Sequence, residues 1–319
     1  MITKAEILWT RKCPLRCSFC AMPNDVERAP VEKMIEGLRR LKDLECGFIA
    51  IYGASPLYDF DGLPEYINAA EGMGILTTVI VDGAVSDSQK KLQTLYDFGL
   101  RSLTVSYDFF PYDKFSKLKS DKGLELLNWF VTLPDVRDVE IVSVVNVKNY
   151  VEILSGLLAG DQKTWFSFDI VHPDRGQPGT KCQGNAQEFL LDPMQIRLFC
   201  QTLLKIKRRG YKIHQSEMLL KFMGAHPEVV ARFGWKCSNK EFPSWLTIDA
   251  DGTVLPCDDF HTIRDYKVWD LGKKEFEDFT RVYKKEVAKY CLGCFWTTHY
   301  DAWLIKKGKV KFGEYVHEV

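Results

Sequence analysis

Ten cysteines occur in this 319-residue chain, and seven of them fall into two groups. Cys13, Cys17 and Cys20 form C-x3-C-x2-C near the start, whereas Cys237, Cys257, Cys291 and Cys294 gather near the end. Clustered thiols in a reducing compartment hold metal or do catalysis rather than form structural disulfides. Three thiolates can carry a [4Fe–4S] cluster by three of its irons, leaving the fourth iron open to a ligand. A structural zinc ion wants four protein ligands, and no fourth Cys or His lies close in sequence to the front three; a distant residue would have to complete such a site. The back four have the count for a closed site, either all-thiolate zinc or an iron–sulfur cluster, and on spacing alone zinc is the default. Cys46, Cys182 and Cys200 stand apart and read most simply as buried thiols, with Cys182 also a candidate hydrogen donor from its polar loop.

Elements must exist to position these residues. Apolar, β-rich runs recur at Ala5–Trp9, Gly47–Tyr52, Ile75–Val81, Ser102–Ser106, Val139–Asn146 and Trp165–His172. Helix-like stretches separate them at Val31–Leu44, Leu63–Met73, Ser86–Phe98, Asp121–Val131 and Tyr150–Leu158, with Ser86 as a candidate N-cap and Gly99 as a stop. Strands alternating with helices predict a parallel sheet, because parallel neighbours need a helical crossover. Six repeats are too few to close an eight-stranded barrel, so the expected fold is α/β, a partial, open (β/α)6 TIM-like barrel over residues 1–234. The front cysteines follow its first strand directly, at the strand end where ligands bind in such sheets. Beyond a Gly/Pro-rich loop after His172, a helix is expected at Pro193–Arg208, a strand at Tyr211–His214 and a helix near Glu217–Phe222. Residues 235–319 read as a small second unit. There Asp251-Gly252 signals a two-residue hairpin, and a helix over Lys274–Lys289 leads to the C-x2-C pair.

Composition narrows the field. Forty-three basic residues balance 43 acidic ones, which argues against nucleic acid as a partner. The longest apolar runs are strand-length, and the first residues lack the apolar stretch of a secretory signal, so no membrane is expected and a cytoplasmic location is.

The front motif, in its place after the first strand, resembles the radical S-adenosylmethionine (SAM) superfamily, and further residues extend the resemblance over most of 4–175. Phe19 matches the aromatic that the family sets beside the SAM adenine. Gly53-Ala54-Ser55-Pro56 is similar to the family's G-G-E-P, which meets the SAM amino group, but Ser55 stands where the family has glutamate. Ser106, in S-Y-D, is similar to the serine facing the SAM ribose or carboxylate, and Asn146 is a polar candidate for the same edge. The resemblance implies that the open iron chelates SAM and that one electron cleaves it to a 5′-deoxyadenosyl radical, which takes a hydrogen atom from a substrate held in near-attack geometry.

The back region, in which Gly252 completes C-x14-G-x4-C, resembles the SPASM domains of that superfamily in their shortened, twitch form. That implies a second, auxiliary [4Fe–4S] cluster on Cys237, Cys257, Cys291 and Cys294. Four thiolates saturate it, so it would pass electrons rather than hold substrate, as in the aminocyclitol dehydrogenase of butirosin biosynthesis, whose twitch domain is similar. The expected activity is a radical SAM oxidoreductase acting on a small metabolite. A flavodoxin- or ferredoxin-type protein is the expected electron donor. Two alternatives stand beside it. One is modification of a ribosomally made peptide, disfavoured by a first strand that starts near residue 4 and leaves no preceding recognition domain. The other is a non-catalytic iron–sulfur or zinc scaffold, suggested by the altered G-A-S-P. Candidate substrate-facing residues are Tyr107 and Asp108 after the fourth strand and His172 and Asp174 after the sixth. Asp258, Asp259 and His261, after Cys257, are candidate bases; His299 reads as packing.

Overall fold

The computed structural model describes residues 2, 4–15, 17, 20, 26–109, 114–160, 164–171, 186–235, 245–255, 257, 265–290, 295 and 297–310, with side chains at all of these but 115, 116, 186, 288, 290, 299 and 306. Strand and helix alternate as the two hydrophobic periods require: β1 (Lys4–Thr10), α1 (Val31–Asp43), β2 (Phe48–Gly53), α2 (Leu63–Gly72), β3 (Leu76–Val81), α3 (Ser88–Asp97), β4 (Ser102–Ser106), α4 (Lys114–Phe130), β5 (Asp138–Val145), α5 (Tyr150–Ala159) and β6 (Trp165–Ile170). These six strands pair in parallel, in chain order. The expected (β/α)6 arrangement is present.

Five helices and a hairpin complete it among the described residues: α6 (Pro193–Lys207), α7 (Glu217–Ala225), α8 (Pro227–Ala231), β7 (Trp245–Ile248), β8 (Val254–Leu255), α9 (Lys273–Tyr290) and α10 (Thr297–Lys306). Strand β7 runs parallel to β1 along its other edge, so one sheet continues in the order β6-β5-β4-β3-β2-β1-β7-β8, and its last strand is antiparallel. The expected hairpin forms, but residues 249–253 connect its strands instead of two. Within that connection the Gly252 N–H donates to the Asp249 carbonyl and the Asp249 N–H to that of Thr253.

Three further expectations shift. Helix α4 starts at Lys114, nearly two turns before Asp121. The strand expected at Tyr211–His214 reduces to a single parallel bridge between Phe166 and Ile213. The N-cap of α3 is Asp87, in a left-handed conformation, and Ser86 lies outside it.

Two apolar cores flank the sheet. One packs β1–β4 against α1–α4, the β7–β8 hairpin and α9; the other packs β5 and β6 against α5–α8 and α10. The concave face is more polar. The Thr77 hydroxyl donates to Glu71 on α2, so it faces the helices, and the strand's period of two turns Thr78 the other way. There Thr78 meets the Thr104 hydroxyl at 3.3 Å, Thr104 donates to Glu140, and Glu140 meets His214 Nδ1 at 2.9 Å.

Candidate functional site

The front cysteines lie on the loop that leaves β1, and all three are half-buried. Arg11 ties the root of that loop to the hairpin: its Nε and Nη2 each lie 2.9 Å from an oxygen of Asp249, and both side chains are buried. The Leu15 N–H donates to Cys13 Sγ at 3.3 Å, and the Cys20 N–H to the Cys17 carbonyl at 3.1 Å. Burial pushes the Cys13 thiol up to about 11, helped by Asp82 and Cys20 and opposed by the Leu15 N–H and Lys119. Among the described residues no three His, Cys, Asp or Glu side chains converge at metal-binding spacing. What fits an iron–sulfur cluster is the donor set: three thiols on one short loop, with a backbone N–H already aimed at one sulfur.

The ends of β2, β3 and β4 come to the same loop. Gly53, at φ 138°, leaves β2 so close to β1 that a Cβ would sit 2.4 Å from the Thr10 carbonyl oxygen, and the Ala54 N–H donates to that oxygen. This carries Ala54 and Ser55 beside the cysteine loop. Ser55 is buried beside the carboxylate of Asp82, the residue just past β3, close enough for its hydroxyl to favour the charged form. Asp82 Oδ1 accepts the Ala84 N–H at 2.8 Å, whereas its Oδ2 is buried without a hydrogen-bond partner among the described residues. Burial raises the Asp82 carboxyl above its ordinary range, against the pull of Ala84, Ser55 and Lys119.

Lys119 reaches this cluster because α4 starts early and packs closely. Gly83, at φ 72°, has room only for hydrogen: a Cβ there would lie 2.6 Å from the Gly123 nitrogen. One turn before Gly123, the buried Lys119 Nζ sits 2.6 Å from Asp108 Oδ2 and 3.3 Å from Ser106 Oγ. Burial works against its charge, but the Asp108 ion pair, with help from Cys17 and Asp82, outweighs this and leaves its pKa raised.

The other expected residues have varied surroundings. Asp108 is buried and committed to Lys119, with its backbone held by Ser120. Tyr107 stacks edge-on against Phe109, its carbonyl accepts the Ser143 hydroxyl, and burial raises its phenol pKa. Asn146 lies past the end of β5, where its Oδ1 accepts the Lys148 N–H and its amide donates to Val144, so its side chain serves its own turn. Cys46 and Cys200 are buried thiols as expected, Cys46 raised by burial to about 11. Phe19, His172, Asp174, Cys182, Cys237, Asp258, Asp259, His261, Cys291 and Cys294 lie outside the described residues, as does the side chain of His299.

Two site residues escaped the sequence reading. Lys119 was hidden in a charged run that looks like a solvated helix face. Asp82 carried a usable signal: a D-G pair directly after an apolar strand, the same place relative to β3 that Gly53–Ser55 occupy relative to β2.

Of the back cysteines, Cys257 is described: it follows β8, half-buried, against the first core. The segment after Cys294 is firmly anchored. The Thr297 N–H donates to Asp169 Oδ1 at 3.0 Å, its hydroxyl meets the same oxygen at 2.7 Å, and Gln215 links Thr297 to the Phe168 carbonyl. Asp301, one turn on, accepts the N–H and hydroxyl of Ser216.

Comparison with known proteins gives this geometry a context. A model of the radical SAM superfamily matches residues 7–125. Two curated relatives, PqqA peptide cyclases of Granulibacter bethesdensis and Rhodopseudomonas palustris, are 30% and 31% identical over 102 residues. That stretch is 31% of this chain and spans only 27% and 26% of theirs. Among solved structures, Streptococcus suis SuiB bound to S-adenosylmethionine is similar over 98% of this chain and 76% of its own, with TM-score 0.66 and 18% identity. SuiB bound to its precursor peptide SuiA is similar over 88% and 66%, with TM-score 0.62 and 17% identity. The structure of anSMEcpe with AdoMet and a Cp18Cys peptide is similar over 92% and 89%, with TM-score 0.57 and 15% identity. These likenesses agree with a partial TIM-type barrel. Among the described residues, no helix is long and apolar enough to cross a membrane.

Proposed function

We propose, from the premise that residues 7–125 belong to the radical SAM superfamily, that this chain binds SAM at the C-terminal ends of β1–β4 and modifies a peptide. The observation that carries the SAM site is the meeting of the C-x3-C-x2-C loop with Ser55, Asp82, Ser106 and Lys119 at one set of strand ends. A [4Fe–4S] cluster with SAM supplies hydrogen-atom abstraction from an unactivated C–H bond.

The chain's own residues do the rest. Cys13, Cys17 and Cys20 hold the cluster, and the Arg11–Asp249 pair fixes the loop that carries them. By the resemblance, Phe19 would contact the adenine and the Gly53–Ala54 backbone would border the methionine. The Ser106 hydroxyl, oriented by Lys119, faces the ribose or carboxylate. Asp108 acts through Lys119, holding its charge at the site. Burial of these groups keeps water and stray hydrogen donors away. Tyr107, His172, Asp258 and Asp259 are the candidates for contact with substrate, with Asn146 bordering the SAM edge.

A peptide is favoured over the small metabolite expected from sequence. The relatives alike in sequence are named peptide cyclases, and SuiB and anSMEcpe, alike in fold, were each solved holding a peptide. Cys237, Cys257, Cys291 and Cys294 are proposed to hold an auxiliary [4Fe–4S] cluster in a twitch-like unit over 235–319 that accepts an electron from the substrate. A flavodoxin- or ferredoxin-type donor in a reducing cytoplasm would charge the front cluster.

The test is anaerobic. Protein reconstituted with iron and sulfide and reduced with dithionite should convert SAM to 5′-deoxyadenosine. Peptides encoded beside its gene should lose two hydrogens by mass in the same mixture. No 5′-deoxyadenosine from fully loaded protein would sink the reading; turnover of small polyols with no change in any peptide would return the substrate to the metabolite class.

A further inference from the structure

The ionic cluster around Ser106 contains two carboxylates, Asp82 and Asp108, and one ammonium, Lys119, which Asp108 engages at 2.6 Å. Among the described residues, the hydrogen bond that Asp82 accepts comes from a neutral donor, the Ala84 N–H at 2.8 Å, with the Ser55 hydroxyl beside it. Its Oδ2 is sealed from water and accepts nothing among the described residues. A buried carboxylate oxygen without a donor is costly, and a cationic ligand removes that cost.

The neighbour that supports it is informative. Ser55 stands where the G-G-E-P motif of the resemblance has a glutamate, so the end of β2 offers a hydroxyl in place of a carboxylate; the end of the next strand presents a carboxylate beside it. We propose that Asp82 supplies the negative charge that binds the α-ammonium of SAM in this protein, from the end of β3. The inference rests on the reading that SAM lies at these strand ends. It adds a binding residue that the motif does not contain, and it explains how a G-A-S-P turn can serve a cationic ligand. Gly83 belongs to the same device, since its contact with Gly123 lets the β3 end and α4 close on each other.

The experiment measures binding by the anaerobically reconstituted full chain, with two probes. SAM carries the ammonium; 5′-methylthioadenosine keeps the adenine, the ribose and the sulfur, the last as a neutral thioether in place of the sulfonium, and lacks the amino-acid group. In Asp82→Asn the side-chain oxygen still accepts the Ala84 N–H, so the turn is kept and only the charge is lost. Loss of a charged hydrogen bond should weaken SAM about 10–100-fold and leave methylthioadenosine affinity unchanged. Adding Ser55→Glu to Asp82→Asn returns a carboxylate to the adjoining strand and should recover the lost SAM affinity. Parent-like SAM binding by Asp82→Asn would overturn the inference, as would equal weakening of both probes, which would mean that Asp82 only shapes the loop. A parent protein that bound neither probe would overturn the SAM site itself, and this inference with it.

Discussion

The two cysteine regions are anchored to the same sheet by different physics. At the front, buried charges do the holding: Arg11 with Asp249 across β1 and β7, and Lys119 with Asp108 across α4 and β4. At the rear, carboxylates accept neutral donors, Asp169 from Thr297 and Asp301 from Ser216, within an aromatic packing of Phe222, Phe295, Tyr300 and Trp235. The contrast follows from what each end must hold. A site for a charged small molecule needs fixed charges already in position, while a helix that only has to be docked needs its first-turn donors satisfied and its apolar face covered. The cost of damage differs accordingly. Breaking a buried ion pair leaves a stranded charge, whereas deleting a neutral donor leaves only a thirsty oxygen.

The largest effect expected is on chemistry. Cys17→Ala leaves two thiols for a cluster that must also keep one iron open, and 5′-deoxyadenosine formation should fall to background; a parent-like rate would break the front assignment. At the rear, Cys291→Ser with Cys294→Ser should lower iron from about eight to about four per chain, since each cluster holds four irons. SAM cleavage should persist in that variant while peptide turnover stops. A content of about four irons with one zinc in the parent would assign the back site to zinc.

Stability sharpens the contrast at a smaller scale. Asp249→Ala removes the carboxylate that holds the buried Arg11 by two nitrogens and should cost about 3–5 kcal/mol in denaturant unfolding. Thr297→Val removes the hydroxyl from Asp169 and Phe168 but keeps the shape, and should cost about 1–3 kcal/mol. Equal losses from the two would mean that front and rear are held alike.

The smallest expected effect is a pH slope. Burial raises Asp301 above its ordinary 3.8, even against its Ser216 donors. The folded chain therefore binds this proton more tightly than the unfolded one, and stability falls as pH rises from about 4 through the folded pKa. Asp301→Asn should lose that part of the slope, as pH-dependent unfolding would report.

Ser55→Glu alone shows how structure changes a forecast. From the motif, a glutamate at 55 should be tolerated or tighten SAM. With Asp82 against a buried Ser55, it would instead set two carboxylates side by side, so tightening is expected only once Asp82 is neutral.

Local order was written in the sequence by itself. Apolar alternation in six runs and helix-period stripes between them were enough for the open parallel barrel, and for placing the cysteine loop at the end of its first strand, because period and crossover are properties of short segments and their order. The hairpin signal at Asp251-Gly252 was likewise local and correct in kind. What only tertiary structure decided was which distant charges meet. Nothing near Arg11 in sequence points to Asp249, 238 positions away, and nothing in the run around Lys119 separates a solvated helix face from a buried cation. That separation came from two glycines, Gly83 and Gly123, whose missing side chains let α4 settle against the strand ends. The parallel pairing of β2 with β3 put Asp82 beside Ser55. Spacing along a chain determines the elements; which groups lose their water, and beside what partner, is set by the packing of one element on another.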